Sequence, residues 1–168
     1  MIEDAPAHAH GAKTERGRAL IVWHCVVAVA ALMSHTSTMI VRFSETDGQG
    51  VVFNGSYPVY ADAAFDAWLE AVRGRAFAWD VGRNHAVAAK STWNFRKSAK
   101  YLDRIEVKCS VSRWGNTSFD VTYDGTVDGE ACFDGVVTYV CVDSEHRRPV
   151  EIPKDLRNAL SSTPRAKM

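Results

Sequence analysis

Asp47 is the carboxylate of this sequence whose neighbours best suit catalysis. It lies in the stretch Thr46–Gly55 (TDGQGVVFNG), a few residues before a predicted helix. The start of a helix presents unpaired backbone N–H groups and a partial positive charge. These groups can polarise a carbonyl or hold an oxyanion, while a nearby carboxylate activates water or attacks the carbonyl carbon. The same spacing also suits a plain turn, because Asp before Gly commonly hydrogen-bonds its own loop.

A thioester is a suitable substrate for such an arrangement. Its carbonyl carbon is electrophilic, and its thiolate leaves readily, so that either kind of attack by a carboxylate is feasible. The residue types alone leave two roles open for Asp47, that of a catalyst and that of a turn residue.

One amphipathic helix is predicted directly after this loop. Ser56 is a suitable N-cap residue, and Pro58 is tolerated in a first turn. Apolar side chains then recur at helical spacing until the chain reaches Arg73 and Gly74. These apolar residues are Tyr57, Tyr60, Ala61, Ala64, Phe65, Trp68 and Val72.

Five segments around this helix have the pattern of β-strands. Most alternate apolar with polar residues, whereas the last is apolar on both faces and is predicted to be central. Asp124-Gly125 and Asp128-Gly129 predict the turn before that last strand, and Lys154–Leu160 predicts a short terminal helix. The predicted strands are Met39–Phe43, His85–Phe95, Ile105–Val111, Phe119–Tyr123 and Gly135–Val142.

The order of these elements predicts an α+β fold. Consecutive strands with short turns form an antiparallel meander, and one apolar helix covers one face of the curved sheet. A single helix cannot cover both faces of such a sheet. We therefore expect a homodimer or homotetramer that extends or backs the sheet.

Residues 41–71 (VRFSETDGQGVVFNGSYPVYADAAFDAWLEA) resemble the N-terminal signature of the hot-dog-fold acyl-CoA thioesterases of the 4-hydroxybenzoyl-CoA thioesterase-like group. That signature contains an Arg-aromatic pair, Thr-Asp, a glycine, a short apolar run and a Tyr-bearing helix. The resemblance covers roughly residues 38 to 160. The matching residues are Arg42-Phe43, Thr46-Asp47, Gly50, Val51-Val52-Phe53, Tyr57 and Tyr60.

The resemblance implies hydrolysis of an acyl-CoA thioester, with Asp47 as nucleophile or general base. It also implies that a backbone N–H near Asn54 or Gly55 polarises the carbonyl. Many relatives have His or Tyr in place of Asn54, a change that a backbone donor tolerates. Relatives often have Glu in place of Asp62, for which a structural and a catalytic role stay open. The predicted contacts to the substrate within the signature are Gly50, Val52 and Tyr57.

A basic cluster further along the chain is the best candidate for binding the phosphates of coenzyme A. Phosphates favour Arg and Lys donors, and this stretch has the densest local positive charge. The alternative is a solvated loop. Coenzyme A is part of the substrate, so no separate cofactor is expected. The cluster consists of Arg96, Lys97, Lys100 and Arg104.

Composition excludes some classes of partner. The 20 basic and 20 acidic side chains give a formal net charge of zero, which argues against a nucleic-acid-binding protein. None of the four cysteines forms a C-x-x-C pair or has a histidine at metal-ligand spacing, so no metal site is predicted. Unpaired thiols and a CoA substrate favour the cytoplasm. The cysteines, interpreted as small core residues, are Cys25, Cys109, Cys132 and Cys141.

The sequence divides into three parts: an N-terminal extension (1–37), the domain that resembles the thioesterases (38–160) and a C-terminal tail (161–168). Within the extension, Ala19–Met33 is an apolar run that follows several basic residues. Three interpretations fit this pattern. The segment is a secretory signal, an extension packed on the domain, or sequence upstream of a true start at Met39. The run is too short for a comfortable membrane span, and no membrane partner is expected.

Two other functions are compatible with the same fold. A hydratase or dehydratase would need a histidine facing the acyl chain, and the loop before the helix contains none. A non-catalytic acyl-CoA-binding module would keep the pocket without needing Asp47. The expected substrate of the enzyme is an acyl-CoA or an acyl carrier protein thioester.

Overall fold

Five antiparallel strands and two helices form the part of the chain that the computed structural model describes, residues 33–74 and 84–161. One long helix packs on one antiparallel sheet, as the α+β prediction requires. The elements are β1 (Ser34–Ile40), α1 (Ser56–Arg73), β2 (Asn84–Phe95), β3 (Arg104–Trp114), β4 (Ser118–Val127), β5 (Glu130–Asp143) and α2 (Lys154–Leu160).

The strand order in the sheet is β1-β3-β4-β5-β2. β3, β4 and β5 form the predicted meander, and β5 is internal, as predicted, with β4 and β2 as its neighbours. The expectation that β2 continues this meander is wrong. β1 occupies the free edge of β3, so β2 pairs with β5 at the opposite edge, where Phe95 lies opposite Phe133.

Two strand boundaries differ from the prediction. β1 begins at Ser34 and ends at Ile40, and Phe43–Glu45 forms a 3-10 turn in place of its predicted end. The start of β1 is rich in Ser and Thr and lacks the apolar alternation that identified the other strands. Asp124-Gly125 lies within β4 and forms no turn. Glycine is needed at position 125 because the Phe133 ring occupies the space where a Cβ would stand.

The turn between β4 and β5 is formed by Asp128-Gly129 alone. Both residues have positive φ, 51° and 79°, as a two-residue hairpin turn of the mirror-image type requires. The tight turn brings the two strands together directly, so that Val127 pairs with Glu130.

The long helix α1 has the predicted length and the predicted buried face. Its N-cap residue is Gly55 and not Ser56, whose hydroxyl donates instead to the carbonyl oxygen of Glu45 at 3.3 Å. Gly74 ends the helix with φ 82°. Leu69 is buried in addition to the predicted residues, whereas Val72 is only half-buried.

Aromatic side chains fill the core between α1 and the sheet. The Phe65 ring of α1 lies 4.9 Å from the Tyr139 ring, and Tyr139 in turn stacks on Phe119. The core also contains three buried free thiols, as predicted, and burial raises the pKa of Cys109 to about 12. These contacts fix α1 on the sheet and so fix the position of its N-terminus.

Several sequence predictions fall outside the described residues. They concern most of the apolar run from Ala19, Cys25 and most of the C-terminal tail. Within residues 33–74 and 84–161, no helix is long and apolar enough to cross a membrane.

Candidate active site

The loop that carries Asp47 is closed by its own backbone hydrogen bonds. The Asp47 N–H donates to the carbonyl oxygen of Val51 at 2.8 Å, and the Gly50 N–H donates to that of Asp47 at 3.0 Å. Thr46 and Val52 form an antiparallel bridge at its base. Gly50 has φ 74°, a conformation that favours glycine. The loop therefore presents Asp47 from a defined backbone.

The Asp47 carboxylate forms the bond of a turn residue and also leaves one oxygen unpaired within the part of the chain that the structure describes. Its Oδ1 accepts the N–H of Gln49 at 2.8 Å, which is the bond of a turn residue. Its Oδ2 has no hydrogen-bond partner among residues 33–74 and 84–161. The half-buried side chain also lines a pocket, so one oxygen braces the loop while the other is available to a ligand.

That pocket has a volume of about 370 Å³ and gathers many of the predicted site residues. It lies between the Asp47 loop, the start of α1 and the end of β2. The sequence-predicted residues on its wall are Asp47, Val52, Asn54, Tyr57, Arg96 and Lys97.

The remaining predicted residues do not line this pocket. Gly50 shapes the loop, and Gly55 is the N-cap residue of α1. Lys100 forms a bridge with Val51 and lines a smaller neighbouring cavity of about 220 Å³. Arg104 is exposed at the start of β3.

The start of α1 supplies hydrogen-bond donors at the pocket. Among the described residues, no acceptor is bonded to the N–H groups of Asn54 and Gly55, whereas the Ser56 N–H donates to the carbonyl oxygen of Phe53 at 2.8 Å. A Cβ on Gly55 would lie 2.6 Å from the Phe53 ring, so glycine permits this close turn. Free N–H groups beside a carboxylate are an arrangement that can polarise a carbonyl.

Tyr57 forms a fixed wall of the pocket. Its hydroxyl accepts the N–H of Ala99 at 3.1 Å, and its ring lies 5.1 Å from that of Phe133. Burial raises the pKa of Tyr57 to about 12, so the hydroxyl is neutral at physiological pH. Ala99 also accepts the Val52 N–H at 2.9 Å and so joins α1 to the Asp47 loop.

The predicted basic cluster is spread over separate environments. Arg96 forms an ion pair with Asp134 at 2.7 Å, and Lys97 pairs with Glu130. Hydrogen bonds from Asn94 and Arg96 hold the pKa of Asp134 below its usual value. Arg96 and Lys97 therefore border the pocket with part of their charge already balanced.

A second pocket of about 300 Å³ lies next to the first and was not foreseen. On α1, Tyr57 lines the first pocket and its neighbour Pro58 lines the second. On β2, Phe95 lines the first pocket and Trp93 lines the second. The hydroxyls of Tyr123 and Tyr139 meet there at 3.1 Å. The two tyrosines stand on different strands, and their meeting depends on a register that the sequence does not reveal.

The wall of the second pocket also includes Asp62. Burial, with Asp66 nearby, raises the pKa of Asp62. In the part of the chain that the structure describes, no three His, Cys, Asp or Glu side chains gather as a metal site would require. The polar side chains that line this pocket carry hydroxyls, one carboxyl and the indole N–H of Trp93.

Comparisons with known proteins agree with this architecture. The family model of the thioesterase-like superfamily matches residues 41–160. A 1,4-dihydroxy-2-naphthoyl-CoA hydrolase of Nostoc punctiforme is 26% identical over 127 residues, which are 74% of this chain and 84% of that protein.

Two solved structures are similar at the level of the fold. The DHNA-CoA thioesterase of Staphylococcus aureus has a TM-score of 0.69 at 19% identity, over 76% of this chain and 89% of that one. A 1,4-dihydroxy-2-naphthoyl-CoA thioesterase from Synechocystis has the same score and identity, over 76% and 95% of the two chains. The hot-dog fold that the resemblance predicted is confirmed, and the chain belongs to the thioesterase-like superfamily.

Proposed function

We propose that the chain hydrolyses the thioester of an aromatic acyl-CoA, with Asp47 as the catalytic carboxylate. The observation that carries this proposal is the shared pocket in which an unpaired oxygen of Asp47 lies near the N-terminus of α1. A carboxylate and a set of free N–H donors are the two parts that attack on a carbonyl requires.

In the proposed reaction, the thioester oxygen accepts a hydrogen bond from the N–H of Asn54 or Gly55. Asp47 either attacks the carbonyl carbon or removes a proton from the water that attacks it. In the first route the C–S bond breaks to give an acyl-Asp47 anhydride and CoA thiolate, and water then hydrolyses the anhydride. In the second route hydroxide adds directly and the thiolate leaves.

The second pocket supports an aromatic acyl group. Its walls include the Trp93 ring and the hydroxyls of Tyr123 and Tyr139, which suit a planar ring with polar substituents. A relative at 26% identity is a 1,4-dihydroxy-2-naphthoyl-CoA hydrolase, and the acyl group in that name is a planar ring system with two hydroxyls. The neighbouring helix residues Tyr57 and Pro58 line the first and the second pocket, so an acyl group bound at Asp47 could extend into the second one.

The CoA part of the substrate would extend past the basic side chains at the other end of the first pocket. Arg96 and Lys97 line the first pocket, and Lys97 and Lys100 line the smaller cavity of about 220 Å³. Guanidinium and ammonium groups are suitable phosphate donors. An acyl carrier protein thioester would present the same reacting carbonyl without the nucleotide.

We further propose that the enzyme is a cytoplasmic homodimer or homotetramer. Among residues 33–74 and 84–161, β2 forms an edge of the sheet, and along its twelve residues none of the described strands pairs with its outer side. Most of its side chains, among them Lys90 and Thr92, are exposed. Sedimentation of the purified chain would test this state.

A substrate panel tests the proposed function. Release of free thiol is measured with 1,4-dihydroxy-2-naphthoyl-CoA, benzoyl-CoA, hexanoyl-CoA and an acyl carrier protein thioester. We expect the aromatic CoA esters to have the highest kcat/KM. Binding of these esters without any thiol release would instead support a non-catalytic binding module, and preference for hexanoyl-CoA would contradict the aromatic assignment.

A further inference from the structure

Glu45 and Tyr60 connect the Asp47 loop to the long helix. The Tyr60 hydroxyl donates to Oε2 of Glu45 at 2.7 Å. Tyr60 is only 4% exposed, and the Glu45 side chain is 19% exposed. A short hydrogen bond from a buried hydroxyl to a carboxylate is among the stronger contacts that a loop can make.

Glu45 collects further bonds from both sides of the loop. Its Oε2 also accepts the Arg42 N–H at 2.7 Å. Its backbone carbonyl accepts the Phe53 N–H at 2.9 Å and the Ser56 hydroxyl at 3.3 Å. Glu45 therefore binds the segment before Asp47, the segment after it and the first turn of α1.

These contacts determine where the Asp47 carboxylate stands. Asp47 follows Glu45 by two residues in a loop closed by its own hydrogen bonds. Tyr60 lies in the second turn of α1, whose start carries the free N–H groups of Asn54 and Gly55. Because a packed helix is rigid, fixing Glu45 to Tyr60 fixes the separation between the carboxylate and those donors.

We propose that Glu45 and Tyr60 are positioning residues that hold Asp47 at reacting distance from the helix N-terminus. This inference rests on the proposed function of Asp47. Neither residue is part of the wall of the 370 Å³ pocket, so they act on the substrate only through Asp47. Burial, followed by the neighbouring Glu45, raises the pKa of Tyr60, so that its hydroxyl is protonated at neutral pH and can donate.

A purely structural role for this pair makes a different prediction. Loss of the bond would then lower the free energy of unfolding and leave the folded enzyme fully active. A positioning role predicts a lower kcat in folded protein with an unchanged KM, because the substrate still binds but the carboxylate is displaced. A displacement of about 1 Å can cost up to about 100-fold in rate.

The test compares Tyr60→Phe, Glu45→Gln and Glu45→Ala with the wild type. We expect Tyr60→Phe and Glu45→Ala to lower kcat about tenfold, with KM within about twofold. Glu45→Gln keeps an acceptor for the hydroxyl and should retain most of kcat. Glu45→Ala combined with Tyr60→Phe should lose no more than Glu45→Ala alone, because Glu45→Ala already removes the bond that Tyr60→Phe deletes.

Tyr101→Phe is the matched control, since it removes a hydroxyl from an exposed tyrosine outside the pocket. Hydrogen exchange of the Asp47 and Val52 amides is measured in the same variants. We expect these amides to exchange faster in Tyr60→Phe than in the wild type, and at the wild-type rate in Tyr101→Phe. Tyr60→Phe is the mildest change, so it also serves if Glu45→Ala does not fold.

The outcomes separate this inference from the proposed function. A wild type that releases no thiol from any thioester contradicts the proposed function, and the exchange comparison then still decides the positioning role. A wild type that is active, with Tyr60→Phe equal to it in kcat, overturns the inference alone. Unchanged exchange of the loop amides in Tyr60→Phe overturns it as well.

Discussion

The Trp93 side chain of β2 lies flat over Gly135 of the neighbouring strand β5. The two residues are directly paired across the strands, and a Cβ at Gly135 would overlap the Trp93 ring. The absence of a side chain at this position therefore determines where the indole lies. Because Trp93 lines the second pocket, Gly135 also determines how much free space that pocket has.

Replacement of Gly135 by Ala should push the Trp93 ring into the second pocket. We expect a loss of about 1–3 kcal/mol in the free energy of unfolding, as is usual when a packed site receives an extra methyl group. We also expect KM to rise for naphthoyl-type esters more than for hexanoyl-CoA. Urea unfolding and steady-state kinetics measure the two effects.

Val136→Ala, at the next position of the same strand, is the control for this change, since Val136 does not line the pocket. Combining Gly135→Ala with Trp93→Ala removes the overlap and should recover part of the lost stability. If Gly135→Ala leaves both stability and the substrate preference unchanged, Gly135 does not determine the position of the Trp93 ring.

The hydroxyl pair of Tyr123 and Tyr139 should favour acyl groups that carry polar substituents. A site built to hydrogen-bond a substrate hydroxyl discriminates strongly against the analogue that lacks it. For Tyr139→Phe we expect about a tenfold loss of kcat/KM with 1,4-dihydroxy-2-naphthoyl-CoA and less than about a twofold change with benzoyl-CoA. Equal losses with both esters would show that the hydroxyl does not select the substrate.

Arg96 should contribute to binding of the CoA phosphates. Arg96→Gln is expected to raise KM about three- to tenfold and to leave kcat unchanged, because phosphate binding is equal in the ground state and the transition state. The effect should diminish at high salt. Arg113→Gln is the matched control, since Arg113 forms a comparable ion pair with Asp120 at 2.6 Å and does not line the pocket. A KM that is the same in both variants would exclude a role for Arg96.

Asp143 should make the stability of the fold depend on pH. Its carboxylate accepts the N–H groups of His146, Arg148 and Glu145, and these bonds hold the pKa of Asp143 below its usual value. The stabilisation is fully present above the unfolded pKa of about 3.9 and is lost as the pH falls through the lower, folded pKa.

Urea midpoints of the wild type and Asp143→Asn measure this dependence. The wild type should be the more stable at pH 7, and the difference should shrink as the pH is lowered below about 4. A difference that stays constant from pH 7 to pH 3 would mean that the carboxylate charge plays no part.

The sequence predicted best the elements whose pattern is local. Helix α1 follows from apolar residues such as Phe65 and Trp68 at helical spacing, and the Asp47 motif identifies the family. β1 was misplaced because its polar start, from Ser34, contains no apolar alternation. Asp124-Gly125 has the composition of a turn, but the ring of a residue on the next strand requires glycine there.

The parts of the site that the sequence could not predict depend on contacts between distant segments. Tyr123 meets Tyr139 only because β4 and β5 pair in one register. Glu45 meets Tyr60 only because the Asp47 loop folds back along α1. The basic stretch near Arg96 is evident in the sequence. Its acidic partners, Asp134 and Glu130, lie on another strand, so these ion pairs could not be predicted.

The most direct test of the account is the rate of thiol release by Asp47→Asn under single-turnover conditions. Asp124→Asn, an exposed carboxylate of β4 outside both pockets, is the control. We expect Asp47→Asn to bind the aromatic CoA ester as the wild type does and to hydrolyse it at least about 100-fold more slowly, with Asp124→Asn unaffected. Hydrolysis by Asp47→Asn at the wild-type rate would contradict the assignment of Asp47 as the catalytic carboxylate.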